Sequence, residues 1–175
     1  MSAVIQLRRE HLSVSEHQHV WQALCDDVSL AGIPYKIETD AWGGVHMSPA
    51  QTNHSRMVRR VARLLEDKLG SEALTELAIV TEDGVKVPDV AWCSDSFLKQ
   101  HWSDVALLRA PEICVEVVSP SNSEAELRAK TQNYLAVGAL EVWLVSVDGA
   151  VEIHTANGPR DDSSFGFAPA AVLAT

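Results

Sequence analysis

The chain has 175 residues, 46% of them hydrophobic and 22% charged, which suits one globular domain able to bury about 70% of its unfolded surface. A formal net charge of −10 argues against a broad, non-specific nucleic-acid binder, because phosphate contacts need Lys and Arg, yet it leaves room for a local basic patch or an acidic metal site. No apolar run approaches the ~20 residues of a membrane span and residues 1–10 lack a leader-like apolar core, so the expectation is a cytoplasmic protein with no membrane partner.

Ser13-Val14-Ser15-Glu16 has the Ser-x-x-Glu pattern of a capping box. Val20, Trp21, Leu24, Cys25 and Val28 follow at helical spacing, which predicts a helix over about 13–31, stopping near Gly32 and Pro34. His17 and His19 are two apart and read as surface residues on different helix faces. Trp42-Gly43-Gly44 predicts a turn into a short strand. Ser48-Pro49-Ala50-Gln51 then predicts a helix start, with Ser as N-cap and Pro in the first position. The stripe Met57, Val58, Val61, Leu64, Leu65 and Leu69 carries that helix to Gly70.

Strands over 74–81 and 85–94 flank Glu82-Asp83-Gly84 and predict a hairpin, with Pro88 implying an edge or a bulge. A short helix is expected over 96–102. The nearly continuous apolar run of 112–118 predicts a central strand. Ser119-Pro120-Ser121-Asn122-Ser123 breaks the chain and caps a helix over 124–137, closed by Gly138. A second hairpin, 140–147 with 150–155, turns at Asp148-Gly149, and 157–166 reads as a loop. The order predicts an α+β fold, a mixed sheet flanked by helices. Cys93 and Cys114 lie in strand-like runs without CxxC spacing and read as small buried hydrophobes.

Asp89 and Glu116 stand inside apolar strings, Val87-Pro88-Asp89-Val90-Ala91-Trp92 and Ile113-Cys114-Val115-Glu116-Val117-Val118. An unpaired buried carboxylate costs on the order of tens of kcal/mol by Born solvation, so each must protonate or find a cation. Alternation places Asp89 with Val87, Ala91 and Cys93 on one face, and Glu116 with Glu112, Cys114 and Val118 on another. Neighbouring strands in suitable register would let both carboxylates reach one hard cation. On spacing alone the alternative is two carboxylates that never meet, or that pair with Lys and Arg. Lys130 shares a helix face with Leu127, Tyr134 and Val137 and could meet the sheet carboxylates, or pair with Glu126 one turn away. Arg56, Arg59, Arg60 and Arg63 recur at intervals of three and four, either as a face for DNA phosphates or as solvated surface. His54, at the start of that helix, reads as a core-edge histidine or a residue near a site.

Met47-Ser48-Pro49 with His54, Pro88-Asp89-Val90, Ala110-Pro111 ahead of Glu116-Val117-Val118-Ser119-Pro120-Ser121, Lys130 with Tyr134, Gly138 and Glu141-Val142-Trp143-Leu144-Val145 occur in that order. In this combination the sequence resembles the Uma-type restriction endonucleases, a bacterial branch of the PD-(D/E)XK nuclease superfamily. The resemblance implies a restriction-endonuclease-like fold with a four-stranded core sheet flanked by helices. The chain then divides as one domain over 1–175: a helix at about 13–31, a nuclease-like core at about 33–155, and a loop and tail over 156–175. It further implies Asp89 and Glu116 as ligands of Mg²⁺ (or Mn²⁺) in a DNA endonuclease, with a homodimer as the assembly suited to duplex cleavage. In the superfamily a lysine follows the acidic ligand by two residues. Here Val118 stands at that position, and the resemblance implies Lys130 as its replacement. The upstream acid of the family is displaced, since Tyr35 is followed by Lys36, and Glu38 or Asp40 is the candidate fourth site residue. Two other readings stay open: an inactive or regulatory protein with the nuclease fold, and a metal-dependent hydrolase of another phosphorylated or acidic substrate.

Overall fold

The computed structural model describes residues 10–49, 51–119 and 122–174. Most of the segment read as lacking a leader core, Ala50 of the expected helix start, and Pro120-Ser121 of the expected chain break lie outside the described residues.

The capping box forms at the start of α1 (Val14–Asp26): Glu16 Oε2 accepts from Ser13 N at 2.7 Å, and Glu16 N donates to Ser13 Oγ at 3.4 Å. The helix ends earlier than its apolar spacing suggests. Asp27 turns to extended backbone and its carboxylate accepts from Ser29 N, opening a 3₁₀ turn over Val28–Leu30. β1 (Tyr35–Thr39) and β2 (Val45–Pro49) form an antiparallel ribbon of their own. Ser48 and Pro49 thus belong to a strand, paired with Lys36 and Tyr35, instead of starting a helix. α2 (Thr52–Leu69) starts after Gln51, which makes no side-chain capping bond, and its buried stripe is Met57, Val61, Leu64 and Leu65.

Asp40 turns the ribbon. Its Oδ1 accepts from Trp42 N at 2.9 Å and Gly44 N at 2.7 Å, while His46 Nε2 lies 3.2 Å from Oδ2. This is the local side-chain-to-backbone bonding that makes Asp a turn residue.

The expected 74–81 and 85–94 hairpin is split. Its inner parts, β4 (Ile79–Thr81) and β5 (Gly84–Lys86), make a small separate hairpin around the expected turn. Leu74 instead ends β3 (Glu72–Leu74), which pairs with β6 (Val90–Cys93) in the main sheet. Between β5 and β6 lie Val87, Pro88 and Asp89, so Asp89 precedes its strand and the expected alternation through it does not hold. α1 packs on the β4–β5 hairpin, and this buries His17, correcting the surface reading.

The main sheet continues through β7 (Ile113–Val118), β8 (Glu141–Ser146), β9 (Val151–Thr155) and β10 (Gly158–Arg160), in the order β10-β9-β8-β7-β6-β3. It is mixed, with β7 parallel to β8 and antiparallel to β6, and wider than the four strands implied by resemblance. β7 is central, as its apolar run requires. The segment read as a loop supplies β10, because Gly158 to Arg160 pair with β9.

One face of the sheet buries Val90, Trp92, Ile113, Val115, Val117, Trp143 and Val145 against α2 and Leu173 of α5 (Pro169–Leu173). The other buries Cys93, Cys114 and Val142 against Phe97 of α3 (Asp95–His101) and Tyr134 of α4 (Glu124–Ala136). α4 joins β7 to β8 and starts from Ser123, whose Oγ accepts from Glu126 N. Glu141 staples the C-terminal segment to β8. Its carboxylate accepts from Trp143 Nε1 at 2.7 Å, Ser163 Oγ at 2.9 Å and Ser164 N. Phe165 and Phe167 then pack edge-on against Trp92 and Trp143.

Two outcomes are expected. Glu141→Ala strands several buried donors and lowers stability by about 3 kcal/mol, read as a lower urea midpoint with an unchanged slope. Asp40→Ala costs about 1 kcal/mol at neutral pH. Burial works to raise the Asp40 carboxyl, but the Gly44 and Trp42 amides outweigh it and hold the group below its ordinary value. Its contribution is therefore complete above the unfolded value of about 3.9 and is lost as pH falls through the lower folded value. Urea titrations at stepped pH check this: the gap between wild type and Asp40→Ala is constant from pH 7 to 5 and closes in stronger acid.

Candidate active site

Pro88 cannot donate to a ladder, and β6 pairing with β7 begins only at Val90, opposite Val115. Two residues further along β7, the Val117 N–H has no partner on β6. Asp89 Oδ2 accepts it at 2.8 Å, so the side chain replaces a missing ladder bond at the point where the strands diverge. The same oxygen lies 2.9 Å from His54 Nε2, brought in by the first turn of α2. Burial would raise the Asp89 carboxyl, but His54 and Lys36 together hold it well below the usual carboxylate range. The bond to Asp89 in turn raises the His54 imidazole above its ordinary value, against the opposing effect of burial.

Glu116 projects from the middle of β7 toward α4. Its Oε1 accepts from the buried Tyr134 hydroxyl at 2.7 Å. Burial, aided by Asp89 and Glu38, pushes the Glu116 carboxyl above its ordinary value despite Lys36 and Lys130 beside it. The Tyr134 hydroxyl is raised well above its own, by burial first and by Glu116 second.

Lys130, one turn before Tyr134 on α4, faces the sheet. Its Nζ lies 2.8 Å from Glu38 Oε2 and 3.4 Å from Glu116 Oε1, whereas Glu126 accepts from Asn122. The open alternatives for Lys130 resolve in favour of the sheet, with Glu38 its nearest partner. Glu38 Oε1 also accepts from Val87 N at 2.8 Å. Burial opposes ionisation of both groups of this pair. Lys130 and Lys36 nevertheless hold Glu38 below its ordinary value, and Glu116 with Glu38 holds Lys130 above its own.

The structure thus brings together Glu38, Asp89, Glu116 and Lys130, with His54 alongside. Of the two upstream acids, Glu38 meets this group and Asp40 is committed to the ribbon turn. A fifth charged residue was missed. Lys36 Nζ lies 2.8 Å from Asp89 Oδ1 and 3.4 Å from Glu116 Oε2. The signal for it was strand alternation, because positions 36 and 38 of one strand share a face.

These groups lie on one open cavity of about 1120 Å³ between α2, the β1–β2 ribbon and the end of the main sheet. Arg59 and Arg63 line it. Arg60 instead turns toward the C-terminal helix and donates to Leu173 O, Arg56 is exposed on the same helix, and Arg63 also makes a 3.7 Å pair with Asp67. The four arginines are therefore not one face.

Among the described residues, no group of three or more His, Cys, Asp and Glu side chains converges as a metal cluster. Asp89 and Glu116 are two hard-oxygen donors, enough for Mg²⁺ when waters complete its shell. An ammonium, that of Lys36, touches both of them, so the donor pair fits a cation. Val118, at the superfamily's usual lysine position, is half-buried on β7.

Among described residues no helix is long and apolar enough to cross a membrane. No curated protein matches the chain. A crystal structure of a "putative nuclease belonging to DUF820" from Anabaena variabilis superposes with a TM-score of 0.64, at 18% identity, over 78% of this chain and 89% of that one. At that identity the likeness establishes the fold, a nuclease-like mixed sheet flanked by helices. The model of the Uma2 family, described as "Putative restriction endonuclease", matches residues 37–164, well over half of the chain, and the protein belongs to that family.

Proposed function

We propose that the protein is a Mg²⁺-dependent DNA endonuclease of the PD-(D/E)XK type, acting in the cytoplasm. One observation carries this reading: Glu38, Asp89, Glu116 and Lys130 meet at an open cavity that Arg59 and Arg63 also line. The family match and the nuclease neighbour support the same class of activity.

Asp89 and Glu116 would hold Mg²⁺ or Mn²⁺, which when bound supplies Lewis-acid polarisation of the phosphate and a water of lowered pKa. The chain's own residues prepare for it. Val117 N and His54 fix Asp89 through Oδ2, which leaves Oδ1 to the ammonium of Lys36. Tyr134 fixes Glu116 through Oε1. Lys130, held by Glu38, keeps a positive charge where it can stabilise the charge developing on phosphate oxygens during attack. In a chain of net charge −10, Arg59 and Arg63 provide the local positive charge that a DNA backbone needs. Cleavage of both strands would be served by a homodimer, one copy per strand.

Nicking of supercoiled plasmid tests the proposal. Cleavage in Mg²⁺ or Mn²⁺ is expected, with loss in EDTA. Asp89→Asn, Glu116→Gln and Lys130→Met should each reduce the rate by about 10²-fold or more, while Asp40→Ala retains it. Intact plasmid with wild-type protein in both metals would refute the proposal.

A further inference from the structure

Lys36 is the charged part of the site that the motif pattern does not account for. It reaches Asp89 Oδ1 at 2.8 Å and Glu116 Oε2 at 3.4 Å. His54 and Val117 N take Asp89 Oδ2 and Tyr134 takes Glu116 Oε1, so Lys36 meets the other oxygen of each carboxylate, sharing Glu116 Oε2 with Lys130, which lies 3.5 Å from it. The geometry points to Lys36 as an exchangeable counter-cation: its ammonium holds the place of a divalent ion between Asp89 and Glu116 and leaves when such an ion binds. This rests on reading those two carboxylates as the metal ligands.

Three features single out Lys36 over Lys130. Lys130 is anchored elsewhere, since its shortest contact is with Glu38 at 2.8 Å and Glu116 is more distant at 3.4 Å. Its side chain is 9% exposed, whereas that of Lys36 is 22% exposed and lines the open cavity, giving it room to swing away. Lys36 also stands on the two-stranded ribbon and Lys130 on the helix joining β7 to β8. Charge points the same way. With the side chains ionised, Glu38, Asp89 and Glu116 face two ammonium groups. A divalent ion added to both would leave the buried group with excess positive charge, whereas exchange for Lys36 leaves it balanced. Without a metal, Lys36 keeps two buried carboxylates from facing each other unpaired, so the ligand oxygens remain in place.

The experiment is a calorimetric titration of Mn²⁺ into wild type, Lys36→Gln and Lys130→Gln, with Asp89→Asn as the control for the site. Removing the competing ammonium should tighten Mn²⁺ binding in Lys36→Gln by about tenfold or more, and by clearly less in Lys130→Gln. Equal affinity in wild type and Lys36→Gln would overturn the exchange while leaving the metal site standing. Equal gains in both lysine variants would overturn it too, as a general charge effect. No Mn²⁺ binding by any of them would remove both this inference and the metal-dependent nuclease reading. Thermal melting adds a second readout. In EDTA, Lys36→Gln should melt below wild type, and Mn²⁺ should raise its midpoint by more than it raises that of wild type. An equal rise contradicts the exchange.

Discussion

The site depends on neutralising three carboxylates, two of them buried and one half-buried, with two ammonium groups delivered by different elements. Glu38 and Lys36 come from the β1–β2 ribbon, Asp89 from the segment just before β6, Glu116 from β7 and Lys130 from α4. None of these charges is tolerable alone in an apolar setting. Each is held by partners from another element, so the ribbon, the sheet and the helix must all be in place before any one charge is satisfied. Such a network gives little net stability compared with an apolar core of the same shape, while losing one member leaves another charge buried and unpaired. That asymmetry is easier to understand in a site kept for chemistry than in one kept for stability.

The geometry follows from a backbone interruption. Pro88 stops the long 85–94 run from continuing as one strand, and the sheet opens where β6 begins. An opened sheet leaves an unpaired amide, that of Val117, and the Asp89 carboxylate takes it. The proline thus both creates the cleft and commits the adjacent aspartate to one rotamer. With its first oxygen engaged, the second takes the Lys36 ammonium, which also reaches Glu116. Burial of the carboxylate and opening of the cavity have the same origin.

Much of the fold was legible in the sequence because it rests on local chemistry. The capping box of Ser13, the cap of Ser123, the apolar stripe of α2, the Asp-Gly turns and the apolar run of β7 each point to one structure. The errors occurred where tertiary pairing outweighs local preference. Ser48-Pro49 has the chemistry of a helix start, but opposite Tyr35 and Lys36 it is a strand. Leu74 and Ile79 to Thr81 read as parts of one strand, but they serve different sheets. His17 seemed a surface residue because nothing local showed that α1 would be covered by the β4–β5 hairpin. In the site, Asp89, Glu116 and Lys130 could be picked out because charge among apolar residues is anomalous. Lys36 was passed over because no strand was read over 35–39; once β1 is in place, alternation puts Lys36 on the face of Glu38, and the position of the ribbon against the sheet gives it a role.

The placement of Lys130 on a helix changes what the site is sensitive to. A lysine on β7 two residues beyond Glu116 would be held by the same backbone that holds the carboxylate. On α4, the ammonium is set by how the helix lies on the sheet. Tyr134 fixes that placement, because four residues on, one turn along the same face, its ring is buried with Cys114 and Val142 while its hydroxyl donates to Glu116. One helix turn therefore measures the distance between the lysine and the carboxylate, and the apolar packing of the tyrosine ring against the sheet sets the electrostatics of the site. Glu38 then draws Lys130 toward the ribbon: the shortest contact of Lys36 is with Asp89 and that of Lys130 with Glu38, while both reach Glu116 Oε2, at 3.4 and 3.5 Å. Glu116, a carboxylate they share, is the least exposed of the three, and both lysines work to keep its charge against the burial that opposes it.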